Sequence, residues 1–341
     1  MMQWLTRWKL SWQARRQQRA EGAASNDESL VAFLNDRLGR AGWITGAALL
    51  LLFLYFGVGG IALSTVDDDL AFRPSPADLP PGGSVAVAMS SGLLDRELNT
   101  HRWTPDDPWF FPTGLIDNMP AFQTGMRQTT QQFLLELKDQ VARARGSGST
   151  APDLEKAFAD LSYPPDRWWL GTDWPWIRGS STSYYRDAVT ELRRYNSRVG
   201  NGQALFERRA DTLNAVLDRL ALSLGSASAQ LDQHVANHAG KGLIDWQSDN
   251  VFYNVRGQAY AAHMILRGLR EDYGGLIRQR ELATVWGELM RSLEALIAID
   301  PLIVANSDPQ GLLINNHLTA QGVLLMRART ELREITAILQ K

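Results

Sequence analysis

The segment FERRADTLNAVLDRLALSLGSASAQLDQHVANH, residues 206–238, decides the fold. Phe206, Leu213, Leu220, Ala227 and His234 recur every seven residues, and Ala210, Leu217, Leu224, Leu231 and His238 repeat that spacing four residues later. Two such rows lie on one helix face and call for a second helix packed along it. Gly225 inside the rows marks a point for a bend. Outward from this seam the helical period continues. Asn118-Met-Pro120 opens a helix, with Pro in its first turn. Its stripe is Phe122, Met126, Phe133, Leu137 and Val141, and Gly146 to Pro152 ends it. A short helix is expected from Asp153 to Leu161, and another from Tyr184 to Val199, broken by Gly200-Asn-Gly202. Beyond the seam, helices are expected at Asn250–Asp272, Gln279–Ile299 and His317–Lys341, with Asp300-Pro301 stopping the second. The connection from Pro301 to Asn316 is partly apolar and leaves room for a short strand. The fold class is all-α, an elongated helical bundle over residues 85–341.

Upstream, Trp43 to Ser64 contains no charged residue. A helix of that length crosses a hydrocarbon layer of about 30 Å. Arg7, Lys9, Arg15, Arg16, Arg19, Arg37 and Arg40 precede it, and Asp67, Asp68 and Asp69 follow it. Basic flanks stay cytoplasmic, which predicts a cytosolic N-terminus and an exported C-terminal domain. A cleaved signal peptide is the rival, although the arm before the run is longer than such leaders carry. A buried core helix is the third reading. The layout is therefore a basic amphipathic arm (1–42), a transmembrane helix (43–65), an Asp/Pro/Gly-rich spacer (66–84) and the helical domain. In the arm, Met1, Trp4, Leu5, Trp8 and Trp12 share one helical face, suited to a bilayer surface or to nothing more than a frayed tail. Ser25-Asn-Asp-Glu28 is a capping-box pattern that starts a second arm helix. Gly57, Gly59 and Gly60 in the run would permit close helix approach and self-association.

The net charge of −2 argues against a nucleic-acid partner. The chain has no cysteine, so disulfides, thiol catalysis and cysteine-ligated metals are excluded. Nucleophile-elbow, P-loop and dinucleotide-binding patterns are missing, and no cofactor signature is present. Two constellations remain. His234 and His238 are one helical turn apart and can face one metal ion, but Val235 stands where a zincin needs Glu, and two ligands fall short of a catalytic zinc site. Partly wet seam positions would look the same. The second constellation is aromatic: residues 101–112, with Trp103 and Trp109, and residues 163–178, with Asp166, Arg167, Trp168, Trp169, Asp173, Trp174 and Trp176. Proline breaks both into loops. Indole faces beside carboxylates and guanidinium suit a glycan, and carboxylate pairs drawn from Asp106, Asp107, Asp166 and Asp173 suit glycoside hydrolysis. Rings that bury area at the bundle's ends explain the same composition.

Three segments carry a resemblance: residues 91–98 (SGLLDREL), 109–120 (WFFPTGLIDNMP) and 168–174 (WWLGTDW). With these the chain, from Trp43 onward, resembles a family of uncharacterised proteobacterial inner-membrane proteins, the domain of unknown function 2333. The resemblance implies an inner-membrane location and no activity. Together the residues favour a non-enzymatic envelope scaffold or accessory protein, whose partners are the bilayer and an envelope protein or a second copy. The alternative is a periplasmic module that binds or acts on peptidoglycan through the tryptophan loops.

Overall fold

The computed structural model describes residues 37, 39, 40, 42–60, 65–115, 117–145, 151–171, 174–238, 246–301 and 317–341. They form two units, residues 1–59 and 60–341. In the first unit, residues 42–59 are helical, with a π turn at Leu54–Val58. Trp43, Ile44, Leu51 and Phe53 are exposed on it. Among the described residues no helix is long and apolar enough to cross a membrane. The unbroken span expected over 43–64 is thus not seen: the π turn interrupts it, and residues 61–64 lie outside the described residues. So do both helices expected in the arm and the strand expected after Pro301.

The second unit is all-helical among the described residues, apart from one antiparallel bridge between Leu170 and Ile177. Its helices are α1 (Val85–Asp95), α2 (Asn118–Arg145), α3 (Pro152–Leu161), α4 (Ser181–Gly200), α5 (Ala210–His238), α6 (Trp246–Asp272), α7 (Gly274–Gln279), α8 (Ala283–Ile297) and α9 (His317–Leu339). The heptad rows behave as expected: Leu213, Leu217, Leu220, Leu224, Ala227 and Leu231 are buried, and α5 packs along α9 and α2. The helix expected over Gln279–Ile299 is α8, which starts at Ala283 because Glu281 takes a left-handed backbone at φ 55°; the short α7 before that turn is not among the expected helices.

The hub is α6, which packs against α1, α2, α5, α8 and α9. A helix touched on so many sides is apolar or small nearly all round. Phe252, Val255, Ala259, Tyr260, Ala262, Ile265, Leu266 and Leu269 are buried on it. Small residues set how closely it is approached. A Cβ on Gly257 would lie 2.0 Å from the Phe122 carbonyl oxygen of α2, and one on Gly125 would lie 2.0 Å from that of Asn254. The two backbones touch through these glycines, and Thr129 donates to the Gln258 carbonyl beside them.

Helix α1 escapes the periodic reading because Ala86 to Leu94 are buried without a break. A helix enclosed on every side shows no 3.6-residue stripe. It starts at Ser84, which caps Val87, and Asp272 of α6 accepts hydrogen bonds from Ser84 Oγ and the amides of Val85 and Ala86. It runs on into a π turn, Arg96–Thr100.

The stretch read as a spacer is a strap laid on the helical unit. Val66, Leu70 and Phe72 pack against the core. Arg256 pairs with Asp68 at 2.6 Å, Tyr260 Oη donates to Asp69 O, and Arg267 donates to the carbonyls of Leu70 and Phe72. Asn196 of α4 closes its far end, accepting from Ser84 N and donating to the carbonyls of Asp78 and Ser84. Prolines withhold regular structure here, and side chains from distant helices supply the hydrogen bonds instead.

Candidate functional site

The two aromatic loops meet at one end of α2 and α4. Loop 101–117 is held from below by Gln123 of α2. Its Oε1 accepts from Thr104 N and Oγ1, and its Nε2 donates to Arg102 O and to Glu97 Oε2. Arg102 takes a left-handed backbone at φ 69°, pairs with Asp107 and lies over the Phe111 ring at 4.5 Å. Trp103 is 1% exposed, stands edge-on to Tyr185 at 4.9 Å and donates its indole N–H to Pro165 O of the other loop. It is a core residue joining the loops, with no face open to a ligand.

Loop 162–180 is fixed at its base by Ser181, whose Oγ donates to Pro164 O and accepts from Arg167 N. Tyr163 stacks on Tyr184 at 4.2 Å and donates to Gly179 O. Above this base the chain turns back as a hairpin. Gly171 N donates to Trp176 O, Arg178 N donates to Trp169 O, and the Trp174–Pro175 peptide bond is cis. Trp168 is half-buried between Phe110 and Trp169, which ties the hairpin to the first loop. The remaining rings face solvent. Trp174 is 82% exposed, Trp109 76% and Ile177 74%, and Trp169, Leu170 and Trp176 are exposed beside them. Soluble surfaces seldom leave so many large apolar side chains together without a partner.

A family model described as "Uncharacterized protein conserved in bacteria (DUF2333)" matches residues 106–245 and 240–341, more than half of the chain. The chain belongs to the DUF2333 family. A search of curated proteins and of solved structures finds no match. The matched region takes in the hairpin and helices α2 to α9, while the strap, α1 and the start of the first aromatic loop, with Arg102 and Trp103, lie before it.

Asp106 and Asp107 of the first loop face inward in the DUF2333 chain. Asp106 is buried at the start of α4, where it accepts from Thr182 N and Oγ1. Burial pushes its pKa up, against the pull of the Thr182 bonds and of Arg102. A carboxylate at a helix N-terminus is a structural cap. Asp107 is held by Arg102 and Thr113. Asp166 is exposed, 4.0 Å from Arg167, and Asp173 lies outside the described residues. A groove of about 420 Å³ runs beside the loops, lined by Asp117, Pro165, Asp166, Gln230 and Asn254 among others. No tryptophan lines it.

His234 is buried, with Nε2 2.9 Å from Ser248 Oγ at the start of α6. The His238 side chain lies outside the described side chains. No cluster of three or more His, Asp or Glu able to hold a metal occurs among the described residues. Sequence reasoning missed the buried network behind the loops. Arg96 bonds Glu97, Tyr260 Oη and Asp67 O, while His101 bonds Asp67 at 3.0 Å. Burial pushes the Glu97 carboxyl up despite Arg96 and Gln123. Its sequence trace is the charged triplet Asp95-Arg96-Glu97 directly after the largely apolar stretch Val85–Leu94.

Proposed function

We propose that the chain is a membrane-anchored interaction protein of the bacterial envelope, a scaffold or accessory subunit. Its helical unit would sit on the periplasmic side of the inner membrane and its basic arm in the cytoplasm. One observation carries the reading: large apolar side chains point outward on residues 43–58 and on the aromatic hairpin, while Asp106 and Asp107 point inward and hold the loops. An outward apolar surface with its nearest acids committed to structure favours docking over acid–base chemistry. The anchor draws its support from the uncharged run and the basic residues before it.

Two measurements on the full chain test this. A reporter active only outside the cytoplasm, fused after Lys341, should give signal. Cross-linking in cells followed by detergent purification should return the same envelope protein in repeated preparations. A reporter active only in the cytoplasm overturns the placement, and the absence of any consistent partner overturns the scaffold. The glycan alternative draws on the open rings of Trp174 and Trp176. It requires retention on purified peptidoglycan that Trp168→Ala with Trp174→Ala abolishes.

A further inference from the structure

We propose that the aromatic hairpin, with Trp109, seats in the headgroup region of the same bilayer that holds the anchor, giving the helical unit a second membrane contact. The inference rests on the anchor reading above and assigns the partner of its exposed rings.

The first argument is chain length. The uncharged run ends at Ser64, three residues before Asp67. An extended chain covers about 3.5 Å per residue, so a bilayer holding the run comes within about 10 Å of Asp67. Asp67 is pinned to the helical unit at the foot of the aromatic loops: it bonds His101 at 3.0 Å, and Arg96 donates to its carbonyl. His101 begins the loop that carries Trp109 and Phe110, and Phe110 packs on Trp168 of the hairpin. The strap therefore brings the membrane to the end of the unit where the rings are.

The second argument is chemistry. The exposed set is Trp109, Trp169, Leu170, Trp174, Trp176 and Ile177. None of these indole N–H groups has a protein acceptor among the described residues, unlike that of Trp103. Indole rings with a free N–H concentrate where a bilayer passes from acyl chain to headgroup, the ring taking the apolar side and the N–H the wet side. Arg167 and Arg178 bracket the hairpin in sequence, and cations beside such rings suit lipid phosphates. Trp109, Trp174 and Trp176 are exposed over most of their surface, which leaves the rings open to enter a lipid interface.

The chain lacks cysteine, so single labels can be placed cleanly. Full-length Ile177→Cys, which keeps every tryptophan, carries an environment-sensitive fluorophore. Full-length Leu222→Cys, 68% exposed on α5, is the reference position. Each is reconstituted into vesicles of phosphatidylethanolamine and phosphatidylglycerol, with and without acyl-chain bromine. Insertion to the headgroup boundary should shift the label at 177 to the blue and quench it about twofold in brominated vesicles, leaving the label at 222 unchanged. An unquenched label at 177 on protein that still floats with the vesicles overturns the inference and leaves the anchor standing. Protein that does not float removes the anchor and the inference together. A label unquenched by brominated lipid but shielded in native membrane fragments assigns the rings to a protein partner, which also overturns it.

Discussion

At the scale of single residues, the sharpest demands come from atoms that are absent or buried. Gly257 and Gly125 are where α6 and α2 touch, and the neighbour each would strike is backbone, which cannot rotate away. Gly257→Ala must push the helices apart through the centre of the unit. We expect a loss of about 3 kcal/mol, at the upper end for overpacking, visible as a fall of several degrees in Tm. Gly275→Ala is the control: nothing lies within 4 Å of its Cβ position in α7, and its change should fall between neutral and a gain of about 1 kcal/mol. His263 makes a different demand. It is buried on α6, with Glu294 of α8 at 3.1 Å, and Arg267 is the cation acting on it. Burial, reinforced by Arg267, lowers its pKa below 6.5 and outweighs the pull of Glu294. The unfolded chain therefore takes up a proton at a higher pH than the folded chain does. The stability this site confers is whole above about pH 6.5 and is lost as the pH falls through the lower folded value. Thermal unfolding at about pH 7.5 and about pH 5.5 should show a smaller drop for His263→Gln than for the parent chain.

At the scale of elements, the strap shows why part of the fold was legible and part was not. Helices α2, α4, α5, α8 and α9 announced themselves through apolar residues three, four and seven apart, because each keeps one face wet; α6 was found from its ends, since Val255 to Leu266 are buried throughout. Helix α1 has no wet face and gave no period. The strap's Asp, Pro and Gly read as a spacer because the groups that bind it, Arg256, Tyr260 and Arg267, lie nearly two hundred residues later. The aromatic loops stood out by composition, yet nothing local separates Trp103, sealed against Tyr185, from Trp174, open to solvent. That distinction is made by Pro165 O and Gln123, which the loop meets only in the folded chain. Asp106 looked like a candidate acid and is a cap, since its partner Thr182 is 76 residues away. The strap's closure is testable at Asn196. Its fully buried amide satisfies Ser84 N and two carbonyls; Ser84 O keeps a second bond from Ala88 N, so Asn196→Ala removes the partner of Ser84 N and of Asp78 O, at about 1–3 kcal/mol for each one that stays dry. We expect a lower Tm and faster limited proteolysis within residues 66–84, because cleavage follows the population of the opened strap. Unchanged proteolysis would mean that Arg256 and Arg267 hold the strap unaided.

At the scale of the whole molecule, the proposed role depends on a length. The 22 residues from Trp43 to Ser64 reach about 33 Å as a helix, past the roughly 30 Å of hydrocarbon, with a few residues to spare. The margin is small, and the π turn at Leu54–Val58 makes its use the physical question. A π turn advances the axis less per residue than an α turn, so the run cannot lose many residues and still span. Deleting residues 49–54 leaves 16 residues, about 24 Å of helix, which would strand the flanking Arg40 and Asp67 in lipid or force the segment out. The helical unit is a compact unit of its own, folded around α6, so its melting should stay where it was. The full chain should remain with membranes washed in alkaline carbonate, and the shortened chain should pass to the supernatant. Equal retention of both would show that residues 43–64 are not what holds the protein to the bilayer. Loss of the shortened chain with its melting transition intact would place the membrane affinity in the run, and the hairpin's contribution could then be read as whatever reversible vesicle binding the shortened chain keeps.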